Sequence, residues 1–345
     1  MPPISNPIIG DNGARAAKLV TDFILARLAQ HRSSWTAKNF GPTKPTPPLF
    51  VGVQGPQGSG KSHLVSQLPT QLAPLRTAFL SLDELYLPHA KLQSLAATDP
   101  TNKLIQGRGQ PGTHDLTLGV SILSSLARIN EPSNESQVVE LPTYDKSLHD
   151  GQGDRAKETI SVQGPIDIVL FEGWCVGFQP LDPSTLAQLY TNTSQNPKTY
   201  AAPHLDYETP FFIEHSLNHL LLVNERLAKY AKDLWSFLDC FVQIETKRMS
   251  YVWQWRLEQE HNMKSKNGGV GMTDEQVRQF IGRQVLTFSL SYMPSYELFQ
   301  SGIRSKDTRW FGKVLKLVAG REKEVVATED QTQSDSATST EPRFG

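Results

Sequence analysis

Short apolar runs that alternate with segments of helical periodicity dominate the middle of the chain. Runs of strand length occur at Pro48–Val53, Thr77–Leu82, Gln137–Leu141, Ile166–Phe171 and Asp239–Ile244. Such runs, separated by helical or loop material, predict parallel strands that are buried on both faces. We therefore expect an α/β fold in three layers, with a mainly parallel sheet and helices on both faces.

The two ends of the chain have different patterns. Residues Ala16–His31 place apolar side chains at helical spacing, and a proline-rich stretch follows. We assign residues 1–47 to an N-terminal helix and linker, and residues 48–320 to the main domain. Residues 321–345 are predicted to be a disordered tail, because their last part is polar and lacks apolar periodicity.

Two polar segments interrupt the predicted main domain. Residues 183–210, rich in Thr, Asn, Pro and Tyr, indicate an insertion before a helix at His215–Phe237. Residues 251–283 combine a basic helix, a Gly/Lys/Asn loop and a second helix start. This arrangement is typical of a mobile helical lid.

Composition narrows the classes of protein that remain. Among 345 residues, 34 basic and 35 acidic side chains give a net charge of −1, so no whole-chain field favours nucleic acid or an anionic membrane. Cys175 and Cys240 alone cannot form a disulfide framework or a zinc ribbon. Without a signal pattern or a long apolar run, we expect a cytoplasmic protein with neither nucleic-acid nor membrane partners and leave its oligomeric state open.

A phosphate-binding motif lies between the first predicted strand and a helix at His63–Leu72. It matches G-x-x-x-x-G-K-[ST], in which backbone N–H groups surround phosphates, the lysine reaches the β- and γ-oxygens, and the hydroxyl binds Mg²⁺. A chance glycine-rich turn is the alternative, but it does not explain the strand before and the helix after. The candidate nucleotide-binding residues are Gly55, Pro56, Gln57, Gly58, Ser59, Gly60, Lys61, Ser62 and His63.

Two acids follow predicted strands, Asp83 after the second and Glu172 after the fourth. The carboxyl ends of parallel strands line the ligand crevice of an open sheet, and the phosphate-binding motif opens there too. Phosphoryl transfer needs a carboxylate near the metal and a group that accepts the hydroxyl proton. The alternative is that both acids lie in solvated turns at strand ends.

From about Val51 to about Phe299 the sequence resembles the P-loop kinases of small hydroxylated metabolites. This group includes uridine kinase, phosphoribulokinase, pantothenate kinase and, most similar, D-glycerate 3-kinase with its ATP-binding relatives. The motifs that carry the resemblance are Ser81-Leu-Asp-Glu-Leu-Tyr86, Gly107-Arg-Gly-Gln-Pro-Gly-Thr-His-Asp115, Pro142-Thr-Tyr-Asp-Lys-Ser147, Gly151-Gln-Gly-Asp-Arg155, Phe171-Glu-Gly-Trp-Cys-Val-Gly-Phe178, Trp255-Arg256 and Gly271-Met-Thr-Asp-Glu275. Leu85 and Cys175 depart from the family pattern, which leaves the acceptor pocket open to difference.

The resemblance implies a role for each matching residue, with ATP and Mg²⁺ as cofactors. Asp83 matches the general base, Ser62 and Glu172 the magnesium site, and Lys61 and a lid arginine, Arg256, the groups that stabilise the transferring phosphoryl. The implied acceptor-site residues are Tyr86, Arg108, His114, Asp115, Tyr144, Lys146 and Arg155. Structural alternatives stay open for three of these residues: Tyr144 as a half-buried aromatic, His114 as a turn cap, and Arg256 on a solvated helix face.

The predicted function is ATP-dependent phosphoryl transfer to a hydroxyl of a small anionic metabolite, and the resemblance implies D-glycerate as the best candidate. Arg108 or Arg155 would bind its carboxylate, because the planar guanidinium matches that geometry. A nucleoside or pentose-phosphate kinase is the alternative within the same fold. A non-catalytic ATP-binding module is the alternative of a different class, and the retained base position at Asp83 argues against it.

Overall fold

The computed structural model describes residues 12–38, 45–132, 138–200, 206–207, 209–252, 254–255, 258 and 292–331. Its strands are β1 (Leu49–Gln54), β2 (Thr77–Ser81), β3 (Val138–Asp145), β4 (Asp154–Gln163), β5 (Ile168–Gly173), β6 (Cys240–Thr246), β7 (Val314–Ala319) and β8 (Val325–Asp330). Its helices are α1 (Asn12–Lys38), α2 (Lys61–Leu72), α3 (His89–Ala97), α4 (Leu116–Ala127), α5 (Pro183–Gln195), α6 (Leu217–Asp233) and α7 (Met293–Phe299).

The main sheet has the strand order β2-β5-β1-β6-β7-β8. The first five of these strands run parallel, and β8 pairs antiparallel with β7. Every residue of β1 and of β5 is buried. Because successive side chains point to opposite faces of a sheet, both faces of these central strands are covered. The predicted α/β class with a mainly parallel sheet is confirmed.

Helices pack against this sheet and against one another. Helix α1 packs against α2 and also contacts β1 and β7, while α4 packs against α6. Within the described ranges, no helix combines the length and the apolar character that a bilayer-spanning helix needs.

The predicted third strand does not join the parallel sheet. Residues 138–145 form β3, which pairs antiparallel with β4 in a separate two-stranded sheet. Placing it in the main sheet was wrong, because apolar content alone does not distinguish a buried parallel strand from one side of a hairpin. The burial pattern does: β3 alternates between exposed and buried residues over its first half, and β4 is largely exposed.

Two other segments are more ordered than their composition suggested. The first part of the predicted insertion forms α5, and its start is capped by Asp182, whose carboxylate accepts the N–H groups of Ser184 at 2.9 Å and Thr185 at 3.1 Å. The predicted tail boundary at residue 321 is wrong, because β8 adds an edge strand to the sheet. Backbone pairing with β7 holds this segment in place, although its polar sequence has no apolar periodicity.

Candidate active site

The phosphate-binding loop connects β1 to α2. Gly58 and Gly60 adopt φ angles of 79° and 83°, a region that L side chains rarely adopt. Helix α2 begins at Lys61, and no side chain caps its first turn at Gly60. The free N–H groups and positive dipole of a helix start favour a phosphate there. His63 is exposed on α2, and its ring contacts the amide of Gln67, one turn further along the same helix.

Lys61 and Ser62 lie against Glu172, which ends β5. The Lys61 ammonium forms an ion pair with one carboxylate oxygen of Glu172, and the Ser62 hydroxyl is 3.5 Å from the other. Burial lowers the pKa of Lys61 to about 8, although the negative charge of Asp83 opposes this shift. Because β1 and β5 are adjacent and parallel, their carboxyl ends bring these three side chains together.

Asp83 follows β2, on the other side of β5 from the phosphate-binding loop. Its carboxylate accepts the Lys146 ammonium at 2.5 Å and the Tyr86 hydroxyl at 3.1 Å. Burial raises the pKa of Asp83, but the positive charges of Lys146 and Lys61 lower it by more. The pKa of Asp83 therefore lies below its usual value. The carboxylate is therefore ionised near neutral pH and able to accept a proton.

An aromatic cluster supports the Tyr86 side of the site. The rings of Tyr86 and His114 stack with centroids 4.3 Å apart, and Tyr144 packs edge-on to Tyr86 at 5.3 Å. His114 is buried, and its Nδ1 is 2.8 Å from the Tyr230 hydroxyl. Burial lowers the pKa of His114 to about 3, so its ring is neutral. His114 therefore packs behind Tyr86 as a neutral ring, and its role in the acceptor site stays a prediction.

The two candidate arginines lie beside this cluster. Arg155 donates to the Tyr86 carbonyl at 3.0 Å and to the Asp115 carboxylate at 3.3 Å, while Asp115 also caps α4 by accepting the Leu118 N–H at 3.1 Å. Arg108 donates to the Gly151 carbonyl at 2.8 Å, and its guanidinium lies 5.9 Å from the Tyr144 ring centroid.

Sequence reasoning missed the contribution of α7 and the residue before it. Gly109 has a φ of 142°, and a Cβ built there would lie 2.3 Å from the Tyr292 hydroxyl oxygen. The Ser295 hydroxyl donates to Gln110 at 2.7 Å, so α7 holds the same loop that carries Arg108. Trp174 packs edge-on to Tyr292 and donates from its indole N–H to the Gly109 carbonyl at 3.2 Å.

The signal that was available for α7 is the spacing of Tyr292 and Tyr296, four residues apart. The signal for Trp174 was its position directly after β5, the strand that carries Glu172. The remaining candidate, Arg256, and most of the predicted lid at 251–283 lie outside the described residues.

The chain is similar to several kinases along most of its length. It is 36% identical over 265 residues to the uncharacterized kinase mug58 of Schizosaccharomyces pombe, covering 75% of this chain and 83% of that protein. It is 33% identical over 313 residues to the probable ATP-dependent kinase TDA10 of Saccharomyces cerevisiae, covering 88% and 93%. The structure of D-glycerate 3-kinase from Cryptococcus neoformans matches with a TM-score of 0.77 and 45% identity, covering 91% and 98%. No protein-family model matches the chain.

The phosphate-binding loop, the buried lysine and the two strand-end acids, on a parallel sheet, define a P-loop kinase, an ATP-dependent phosphotransferase with an alcohol group as acceptor. Within that class, sequence identity over most of both chains identifies the family. The chain belongs to the family of P-loop kinases that contains D-glycerate 3-kinase and its ATP-dependent kinase relatives.

Proposed function

We propose that this enzyme transfers the γ-phosphoryl group of ATP to D-glycerate and forms 3-phosphoglycerate. The observation that carries the proposal is the ion pair between Lys146 and Asp83, the proposed proton acceptor. The Cryptococcus neoformans relative, 45% identical, is named for this reaction. In a small acceptor such as D-glycerate, the hydroxyl would face Asp83 while the carboxylate faces the neighbouring cation, Lys146.

The nucleotide would occupy the loop at Gly55–Ser62, with its β- and γ-phosphates at the start of α2. Lys61, now paired with Glu172, would exchange this partner for the more highly charged phosphates. The Ser62 hydroxyl and the Glu172 carboxylate are hard oxygen donors 3.5 Å apart, which fits Mg²⁺. When bound there, Mg²⁺ supplies charge neutralisation at the phosphates; the other donors of such a site come from ATP and water.

On the acceptor side, Asp83 would take the proton of the attacking hydroxyl. Its lowered pKa keeps it ionised, and the Tyr86 hydroxyl fixes the direction of its carboxylate. The side chain of Lys146 is 53% exposed, so it is available to an incoming carboxylate. Arg108 lies over the ring of Tyr144 and would provide the second cation. Arg155 is held by Asp115 and the Tyr86 carbonyl, so we assign it to positioning the Asp83–Tyr86 turn.

The acceptor is tested by steady-state phosphorylation assays with Mg·ATP and a panel of D-glycerate, glycerol, uridine and a pentose phosphate. We expect D-glycerate to be phosphorylated and glycerol to be a much poorer acceptor, because it lacks the carboxylate. Arg108→Ala is expected to raise the KM for D-glycerate and leave the KM for ATP unchanged. Lys229→Ala, which removes a cation from an exposed pair on α6, is the matched control.

Equal turnover of glycerol and D-glycerate would contradict recognition of a carboxylate. A clear preference for uridine or for the pentose phosphate would instead move the enzyme to the nucleoside or pentose-phosphate kinases of the same fold.

A further inference from the structure

A second cleft opens at the end of the sheet opposite to the phosphate-binding loop. It has a volume of about 540 Å³ and lies between the second half of α1 and the amino ends of β1 and β6. The phosphate-binding loop follows the carboxyl end of β1, so the whole length of that strand separates the two sites. The cleft is therefore distinct from the active site.

Basic side chains outnumber acidic ones in the walls of this cleft. Arg27, Lys38, Arg309 and Lys313 line it, together with a single carboxylate, Asp239. This carboxylate is already engaged, since it accepts the Phe50 N–H and an Arg309 N–H, each at 3.0 Å. In the part of the chain that the structure describes, Arg27, Lys38 and Lys313 have no carboxylate partner.

Arg27 gives a second, independent indication of a ligand. Its Nε is buried and has no hydrogen-bond partner among the described residues. Leaving a buried donor unsatisfied costs about 1–3 kcal/mol. Folded proteins rarely keep such a group unless water or a ligand completes it. An anion in the cleft would accept this N–H and neutralise the surrounding cations.

The size and the other walls restrict the kind of anion. A volume of about 540 Å³ lies within the range typical of organic ligands and far exceeds that of a single phosphate. The rings of Trp35 and Phe237 add apolar and aromatic surface to the lining. We propose that the cleft is a binding site for a small organic metabolite that carries two or more phosphate or carboxylate groups.

The binding test is calorimetric titration of the full chain, without Mg²⁺ and at low salt. Inorganic pyrophosphate is the phosphate probe and citrate the carboxylate probe. Lys61→Ala weakens any binding at the phosphate-binding loop, whereas Lys313→Gln and Arg27→Gln change only the cleft. Lys229→Gln removes the same charge from an exposed pair on α6 and serves as the control. Circular dichroism checks that each variant is folded.

We expect at least one probe to bind to Lys61→Ala, with affinity at least tenfold lower when Lys313→Gln or Arg27→Gln is added and unchanged when Lys229→Gln is added. Quenching of tryptophan emission by the same probe should be reduced in Trp35→Phe. Binding of pyrophosphate alone assigns phosphate groups to the ligand, and binding of citrate alone assigns carboxylates. The proposal is overturned if neither probe binds to Lys61→Ala, or if the cleft variants bind as tightly as Lys229→Gln.

Discussion

Glu297 is a buried acid on α7 whose replacement by glutamine should change how stability depends on pH. Its carboxylate accepts the Tyr207 hydroxyl at 2.7 Å and the N–H groups of Phe211 and Phe212, each at 2.9 Å. Burial raises the pKa of Glu297 to about 7, although these three donors oppose the shift. Glu297→Gln keeps the shape of the side chain and removes its titration.

The expected magnitude follows from the difference between the folded and unfolded pKa. Between pH 4.5 and about 7 the unfolded chain releases this proton while the folded chain retains it, so the free energy of unfolding falls as pH rises. At about 1.4 kcal/mol per unit of pKa, the loss amounts to about 3 kcal/mol and persists above pH 7. In the variant, the NH₂ group of the glutamine replaces one carboxylate oxygen and faces a backbone N–H that it cannot accept. This unsatisfied donor adds a pH-independent cost of about 1–3 kcal/mol.

The assay is urea denaturation of the wild type and of Glu297→Gln at several pH values between about 5 and 8. The difference in unfolding free energy should move by about 2.5 kcal/mol in favour of the variant across this range, because a small part of the loss occurs below pH 5. Glu225→Gln, which makes the same substitution at an exposed acid on α6, is the matched control. Parallel pH curves for the wild type and Glu297→Gln would refute the reasoning, because they would mean that Glu297 titrates alike in both states.

Three further predictions concern the active site. Lys61→Ala should lower kcat about a hundredfold or more while the fold is retained. Near-normal turnover by the folded variant in an ADP-release assay would show that the phosphate-binding loop takes no part in the mechanism. Asp83→Asn should lower kcat by about 10²–10⁴ with little change in the KM for ATP, since the amide cannot take the proton; an increase in that KM alone would reassign Asp83 to nucleotide or metal binding. Gly109→Ala should destabilise the protein by about 1–3 kcal/mol in thermal or urea unfolding, because the new Cβ meets the hydroxyl of Tyr292; unchanged stability would mean that this tyrosine moves freely.

Local sequence signals were sufficient for the nucleotide half of the site. Gly60 and Lys61 could be placed because a strand, a glycine-rich loop and a helix are consecutive in the chain, and each has its own pattern. Asp83 and Glu172 could be placed near them because both directly follow apolar strands, and parallel strands end at one edge of a sheet.

The acceptor half depended on contacts between distant segments. Lys146 reaches Asp83 across 63 residues of sequence, and it does so from the end of a hairpin that its apolar content had suggested was part of the main sheet. Tyr292 and Ser295 come from α7, far along the chain, to hold the loop at Gly109. Apolar content and periodicity do not specify which segments become neighbours.

The sequence by itself therefore determined the α/β class, the phosphate-binding loop and the two strand-end acids, because each rests on residues that are adjacent in the chain. Tertiary structure alone decided that β3 pairs with β4, that β8 extends the sheet and that Lys146 lies on Asp83. It also decided that the cations of α1 and Lys313 surround one cleft. The physical reason is that a side chain's partner, burial and pKa are set by the segments packed around it, and its sequence neighbours do not specify those segments.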